Sequence, residues 1–167
     1  KTKSSVQQDV RKDMKGIIRV HQFEKLEMEV FSLPENSYKE QDFLVAIQEY
    51  INKQLGLPYE LIICCTGDMG DPDHKHIDIN TWMPGQNKYR ETHSADHMAG
   101  YQARRLNTRV KRSDGRLEAV HMNDATAVAG RTLVAIMENY QNEDGTIEIP
   151  AVLQKWMFGK TRVEKTS

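Results

Sequence analysis

Residues 16–31 read "GIIRVHQFEKLEMEVF". Successive side chains of a strand point to opposite faces, so residues two apart share one. Laid out as a strand, the run sets Ile18, Val20, Leu26, Met28 and Val30 on one face, apolar at both ends and interrupted by Gln22 and Glu24. Arg19, His21, Phe23, Lys25, Glu27 and Glu29 fall on the other. One packed face and one wetted face is the pattern of an antiparallel sheet. Polar alternation of this kind is ordinarily solvated surface. Phe23 departs from that pattern, because a core aromatic would not share its face with Arg19, His21 and Lys25.

The segments that follow extend the sheet. "PENSYKEQDFLVAIQEYINKQLGLP" predicts a helix, with Ser37 and Glu40 as a capping-box pair and Phe43, Ile47, Ile51 and Leu55 recurring every fourth residue as its apolar stripe. Gly56 and Pro58 stop it. "ELIICCTG" reads as a short buried strand, "HIDINTW" as a half-buried one, and "MPGQNKY" as the turn into another strand near Tyr89. "NTRVKRSDGRLEAVH" predicts a hairpin closed by Ser113, Asp114 and Gly115. "NDATAVAGRTLVAIMENYQ" reads as a helix capped by Asn123 or Asp124, with small residues early in the run that allow close packing against a sheet or ligand. "NEDGTIEIPAVLQKWM" adds a turn, a short strand and a helical tail. Hairpin-linked strands with few helices between them predict an α+β domain on an antiparallel sheet. Residues 1–15 are polar and patternless, an irregular segment ahead of a domain running 16–167.

The totals fit one ordinary globular domain: 167 residues, 38% hydrophobic and 28% charged. No apolar run approaches the roughly 18 to 20 residues that cross a bilayer, and "KTKSSVQQDVRKD" lacks the apolar stretch of a signal peptide, so a cytoplasmic protein without membrane contact is expected. Cys64 and Cys65 are strand neighbours that point apart and cannot form an ordinary disulfide, which suits a reducing compartment. A net charge of -1, from 23 basic and 24 acidic residues, gives no general attraction to polyanions.

Four blocks stand together in this chain: "GIIRVHQFEKLE", "LGLPYELIICCTGDMG", "WMPGQNKYRETHSAD" with "YQARR" after it, and "GRTLVAIMENYQNEDGTIEIPAVL". In this order and spacing they closely resemble the catalytic domain of the seryl-tRNA synthetase family, which is of class II. The likeness runs from about Gly16 to the C-terminal tail. It implies an incomplete class II catalytic core, an antiparallel sheet flanked by helices. The activity it implies is ATP-dependent formation of seryl-adenylate and transfer to serine tRNA, with ATP and Mg2+ as cofactors, serine and serine tRNA as partners, and a homodimer in the full-length enzyme.

Carried over position by position, the resemblance gives the polar strand face a task as a binding floor. Phe23 matches the ring on which the family stacks adenine, and Val20 the position whose backbone touches the nucleotide. Glu27 matches the acceptor for the ammonium or hydroxyl of serine. Glu91 and Ser94 match magnesium and ATP ligands, with Thr92 and His93 between them in the ATP-binding stretch. Plain alternation would pair Glu91 with His93, so a bulge or bend near Ser94 is expected. Arg131 matches the third-motif arginine that covers adenine and reaches the γ-phosphate; Arg19 and Arg90 match pyrophosphate contacts, Arg19 as a catalytic group beside Glu91 and Arg131.

Departures from the family pattern are specific. The arginine and glutamate that open its second motif would fall near Ser4 and Val6, and neither residue can grip a phosphate. The first motif, the upstream serine-binding threonine and glutamate, and the helical hairpin for tRNA are not in the sequence, which predicts a C-terminal portion of such an enzyme. The family's "SSCS" is "THSA" here, and its "HTLNGS" is "HMNDAT". Aligning on His121 puts Thr126 at the serine contact and aligning on Arg131 puts Ala125 there; the contact requires a hydroxyl, which favours Thr126. Two further readings stand beside the enzyme: a catalytically silent relative serving as a binding module, and an amino acid:carrier-protein ligase on the same scaffold.

Plainer readings cover the remaining motifs. His93 and His97, with "HKH" nearby, suggest zinc, but no thiolate or carboxylate stands at ligand spacing to complete a tetrahedron. "GDMGDPDHKHID" lacks the pattern of a calcium loop and reads as a solvated turn. "RVKRSDGR" and "QARR" read as a soluble hairpin tip and as ion-pair braces rather than nucleic-acid patches.

Overall fold

In the computed structural model, which describes residues 16–165, the opening run becomes strand only in its second half. Gly16–Ile18 form a single 3-10 turn, and β1 spans Lys25–Ser32. The reason is the partner. β1 pairs antiparallel with a strand that ends opposite Lys25, so residues 19–24 have no ladder to join. The irregular segment expected over 1–15, with the Ser4 and Val6 positions, lies outside the described residues.

A 3-10 turn at Pro34–Asn36 leads into α1, Ser37–Gln54. Then come β2 (Tyr59–Ile63), β3 (Lys75–Met83), β4 (Lys88–His97), the short α2 (Tyr101–Leu106), the β5–β6 hairpin (Arg109–Lys111 and Leu117–Ala119) and β7 (His121–Ala129). α3 (Gly130–Tyr140), β8 (Ile147–Glu148), α4 (Ala151–Gln154) and β9 (Arg162–Val163) complete the described chain. The main sheet has five antiparallel strands in the order β1-β7-β4-β3-β2. α1 and α3 cover the same face of it. Leu44 and Val45 of α1 pack on Ile77, Ala95 and Ala125, while Val134 and Ala135 of α3 pack with Leu55, Leu57 and Met83.

Three expectations are corrected by packing. The "NDATAVA" stretch is strand, not helix: it fills the gap between β1 and β4, and its alanines let α1 approach closely, with Ala125 fully buried. "ELIICC" is not buried, because β2 is the edge of the sheet and pairs only with β3; Ile63 remains 72% exposed. The buried stripe of α1 is not the one that contains Phe43, which is 60% exposed, but Gln41, Leu44, Val45, Gln48 and Asn52.

The capping box also fails. Asn36 is the N-cap and makes no side-chain cap, and the hydroxyl of Ser37 instead donates to Pro34 O and meets the rings of His97 and His121 at 2.8 and 2.9 Å. The end of α1 is as expected. Gly56 adopts φ +65°, and a Cβ there would lie 2.7 Å from the Tyr140 hydroxyl, which itself donates to Leu55 O.

Candidate active site

Two bulges shape the uncovered face of the sheet. Along β3 and β4, Ile79 pairs with His93 and the next residue, Asn80, with Glu91, so Thr92 is the extra residue. The kink sits two residues earlier than the sequence suggested, and its effect is the one required. Glu91 and Ser94, three positions apart, both reach the uncovered face, while Thr92 and His93 turn to the helix side. A second register shift, between Leu26 and Glu27 of β1, leaves Glu27 opposite Thr126.

The ladder between β4 and β7 runs only from His97↔Asn123 to Ala95↔Ala125. Beyond that point the strands part. Gln48 of α1, fully buried, donates its amide to Ser94 O at 2.7 Å and to Thr126 O at 2.8 Å, so one side chain spans the split from beneath. Gln41 likewise donates to Lys75 O and Ala95 O, at 2.9 Å each, on the paired strands β3 and β4. This polar stripe was missed in the sequence, where only the spacing of Gln41, Gln48 and Asn52 at helical intervals between apolar residues signalled it.

Above the split lies a cavity of about 220 Å³, walled by Arg19, Val20, Phe23, Glu91, Ser94, Thr126 and Arg131, among others. Phe23 is 58% exposed there, a ring presented to the cavity rather than packed in a core. Thr92 borders the same space, but its hydroxyl is turned under the sheet, where it meets Thr81 at 2.6 Å. The guanidinium of Arg131 donates to both the carbonyl and the carboxylate of Glu91 at 3.0 Å and reaches back to Ile18 O at 3.4 Å. Arg131 is the second residue of α3, whose N-cap Ala129 offers no side-chain acceptor. The first amides of that helix and its positive dipole end therefore meet the cavity where Ala129 and Gly130 line it, a setting suited to an anion.

At the opposite end, Ser94 and Thr126 hydroxyls stand 3.4 Å apart across the split; Glu27 does not line the cavity itself but lies opposite Thr126, held at 2.7 Å by Lys25, which does. Ala125 is fully buried under α1, so of the two candidates for the hydroxyl contact only Thr126 reaches the uncovered face. His93 is not brought to the cavity. It lies beneath the sheet with its Nδ1 2.8 Å from the Thr92 hydroxyl, and burial pushes its ring down to about 4. Arg90 donates to Gln86 Oε1 at 2.9 Å and lines a neighbouring cavity with Gly16 and Glu138.

Farther along the same face, one cross-strand row carries His76, Asp96, Asp124 and Glu29. Burial pushes Asp96 up to about 7 against the pull of His76, and raises Asp124, with Glu27 adding to it, and Glu29, with Asp124 adding to it. Burial opposes the charge on His76, yet Asp96 and Asp78 hold its ring above the ordinary value.

A family model for the tRNA synthetase class II core domain (G, H, P, S and T) matches residues 5–140. Serine--tRNA ligase from Caldicellulosiruptor bescii is 47% identical over 147 residues, 87% of this chain and 35% of the relative. The same-named protein of Bdellovibrio bacteriovorus is 45% identical over 155 residues, 92% of this chain and 36% of the relative. Among solved structures, seryl-tRNA synthetase from Pyrococcus horikoshii complexed with ATP superposes with a TM-score of 0.88 at 44% identity, over 93% of this chain and 35% of that one. Cytoplasmic serine-tRNA ligase from Naegleria fowleri in complex with AMP gives 0.81 at 34% identity, over 89% and 36%. The chain thus spans about a third of the length of the relatives it matches.

Proposed function

The chain belongs to the class II tRNA synthetase core-domain family, and from that premise we propose that it carries the site at which serine is activated by ATP to seryl-adenylate and passed to serine tRNA. The reading is supported by relatives named as serine--tRNA ligases and by neighbours solved with ATP and AMP. The observation that carries it is the single cavity that gathers an exposed aromatic ring, an arginine at a helix N-terminus paired with Glu91, and the hydroxyls of Ser94 and Thr126, with Glu27 opposite Thr126 on the neighbouring strand.

Each part answers a demand of the reaction. Phe23 offers a face on which adenine stacks, with Val20 beside it. Arg131 and the first amides of α3 face the phosphates, with Arg19 at the rim, so charge that builds on the α-phosphate as the serine carboxylate attacks meets fixed positive groups. Glu91 and Ser94, brought to one face by the bulge, are hard oxygen donors suited to Mg2+, which when bound would neutralise phosphate charge. Thr126 and Glu27 receive the hydroxyl and ammonium of serine; alanine, which keeps the ammonium but lacks the hydroxyl, would leave the partner of the hydroxyl unpaired.

Residues 16–167 correspond in this reading to the C-terminal part of the catalytic domain. The full-length form is read as a cytoplasmic homodimer on the family likeness, with serine tRNA as the acceptor. Charged and hydroxylated groups gathered in one cavity favour an enzyme over a silent binding module.

ATP–pyrophosphate exchange, run with each standard amino acid in turn, tests the proposal. Serine-dependent exchange at least about tenfold above any other amino acid, lost in Arg131→Ala, is the expected result. Exchange driven by another amino acid, or none with serine, overturns it. Acceptor assays with serine tRNA against a phosphopantetheine carrier then separate a tRNA ligase from a carrier-protein ligase.

A further inference from the structure

The sequence offered no thiolate or carboxylate at ligand spacing for a zinc-binding histidine. The sheet supplies both. Cys64 extends β2 and its amide donates to His76 O, so Cys64, His76 and Asp78 emerge side by side on the uncovered face, where Cys64 and His76 are cross-strand neighbours. The Cys64 thiol donates to Asp78 Oδ2 at 3.2 Å, and His76 Nε2 lies 2.8 Å from Asp78 Oδ1. One donor atom from each residue falls within 4.8 Å of the other two.

We propose that Cys64, His76 and Asp78 form a binding site for a zinc-class divalent cation, distinct in its donor set from the Glu91 and Ser94 pair assigned to magnesium, with Glu91 on the border of the same cavity. A sulfur, a nitrogen and an oxygen donor around one point suit a borderline-soft ion that takes four ligands, and not a hard ion that takes only oxygen. The cation replaces the thiol proton that now bonds to Asp78, and that proton leaves to solvent. A cavity of about 540 Å³, bordered by all three residues and by Asp68 and Cys65, gives the ion an entry path and room for a water as fourth ligand.

The surroundings of His76 match the role. Its Nδ1 faces a carboxylate oxygen of Asp96 in close contact, with Asp73 Oδ2 behind at 3.7 Å. A carboxylate on Nδ1 fixes the proton there and leaves Nε2 as the donor, the arrangement that orients metal-bound histidines. The ion pairs of Asp73, Asp78 and Asp96 all converge on this one imidazole, so negative charge exceeds positive at the cluster and a divalent cation offsets it.

Titration of the purified chain with Co2+, followed by competition with Zn2+, tests the site without recourse to activity. The expected result is one Co2+ per chain, a thiolate-to-cobalt charge-transfer band in the near ultraviolet, and its loss when Zn2+ is added. Cys64→Ser abolishes the band and Cys65→Ser retains it. His76→Ala weakens binding at least about tenfold, and Asp96→Asn, which disturbs only the group behind the histidine, by roughly 10- to 100-fold. Far-UV circular dichroism of each variant establishes that it is folded. A folded wild-type chain with no such band, or a band that survives in folded Cys64→Ser, overturns the proposal.

Discussion

Phe23 keeps more than half of its surface exposed on the wall of a cavity that also carries Arg131 and Glu91, so its face is free to take a flat ring. Base–aromatic stacking is worth roughly 1–3 kcal/mol, so Phe23→Ala should weaken ATP binding about tenfold by titration calorimetry while leaving the fold unchanged. Unchanged affinity would remove the ring from the site. Thr126 permits a sharper test, because valine has its shape without its hydroxyl. Thr126→Val should lower kcat/KM for serine by about 10- to 100-fold and leave the KM for ATP within about twofold, while Thr126→Ser retains activity. Equal damage to both substrates would mean that the hydroxyl braces the strand and does not meet serine. Neither residue is explained by local structure. Phe23 lies outside any strand, and Thr126 is distinguished from Ala125 only by the face on which each emerges.

At the scale of elements, the site depends on strands that fail to pair. The β4–β7 ladder stops at Ala95↔Ala125, and Gln48 closes the opening from the helix side with two hydrogen bonds. Gln48→Leu keeps approximate volume but leaves the buried Thr126 carbonyl and the half-buried Ser94 carbonyl without their donor. It should cost about 2–4 kcal/mol by urea denaturation, more than a surface change, and disturb Ser94 and Thr126 together. A variant as stable as the wild type would show that water or backbone shifts replace the amide. The bulge at Thr92 has the parallel role on β4, since without it Glu91 and Ser94 would emerge on opposite faces. That a bulge is needed to bring these two residues together follows from strand alternation; its position at Thr92 does not. Nor does the polar stripe of α1 follow from the sequence, because apolar spacing every fourth residue draws the helix face onto Phe43 instead.

Over the whole molecule, His93 and His97 lie neutral between the sheet and α1, each pushed down to about 4 by burial, His97 also by the neighbouring His121 and His74. The unfolded chain takes up protons near 6.5 that the folded chain refuses, so this contribution is present at and above that pH and is lost as pH falls toward about 4. The stability gap between the wild type and His97→Phe, from urea midpoints, should therefore narrow across that interval; a constant gap would place the proton elsewhere. Local pattern settled much of this protein. The one-sided strand of residues 25–32, the turn at 84–86, the Gly115 hairpin, the stop at Gly56 and the residues that carry the family likeness are all legible because each depends on side chains a few positions apart. The tertiary structure decided which strands are neighbours and which edges stay bare. It made "NDATAVA" a strand, left β2 exposed, turned His93 under the sheet and set Cys64 beside His76, because face and register depend on pairing between segments far apart in the chain, which local periodicity does not encode.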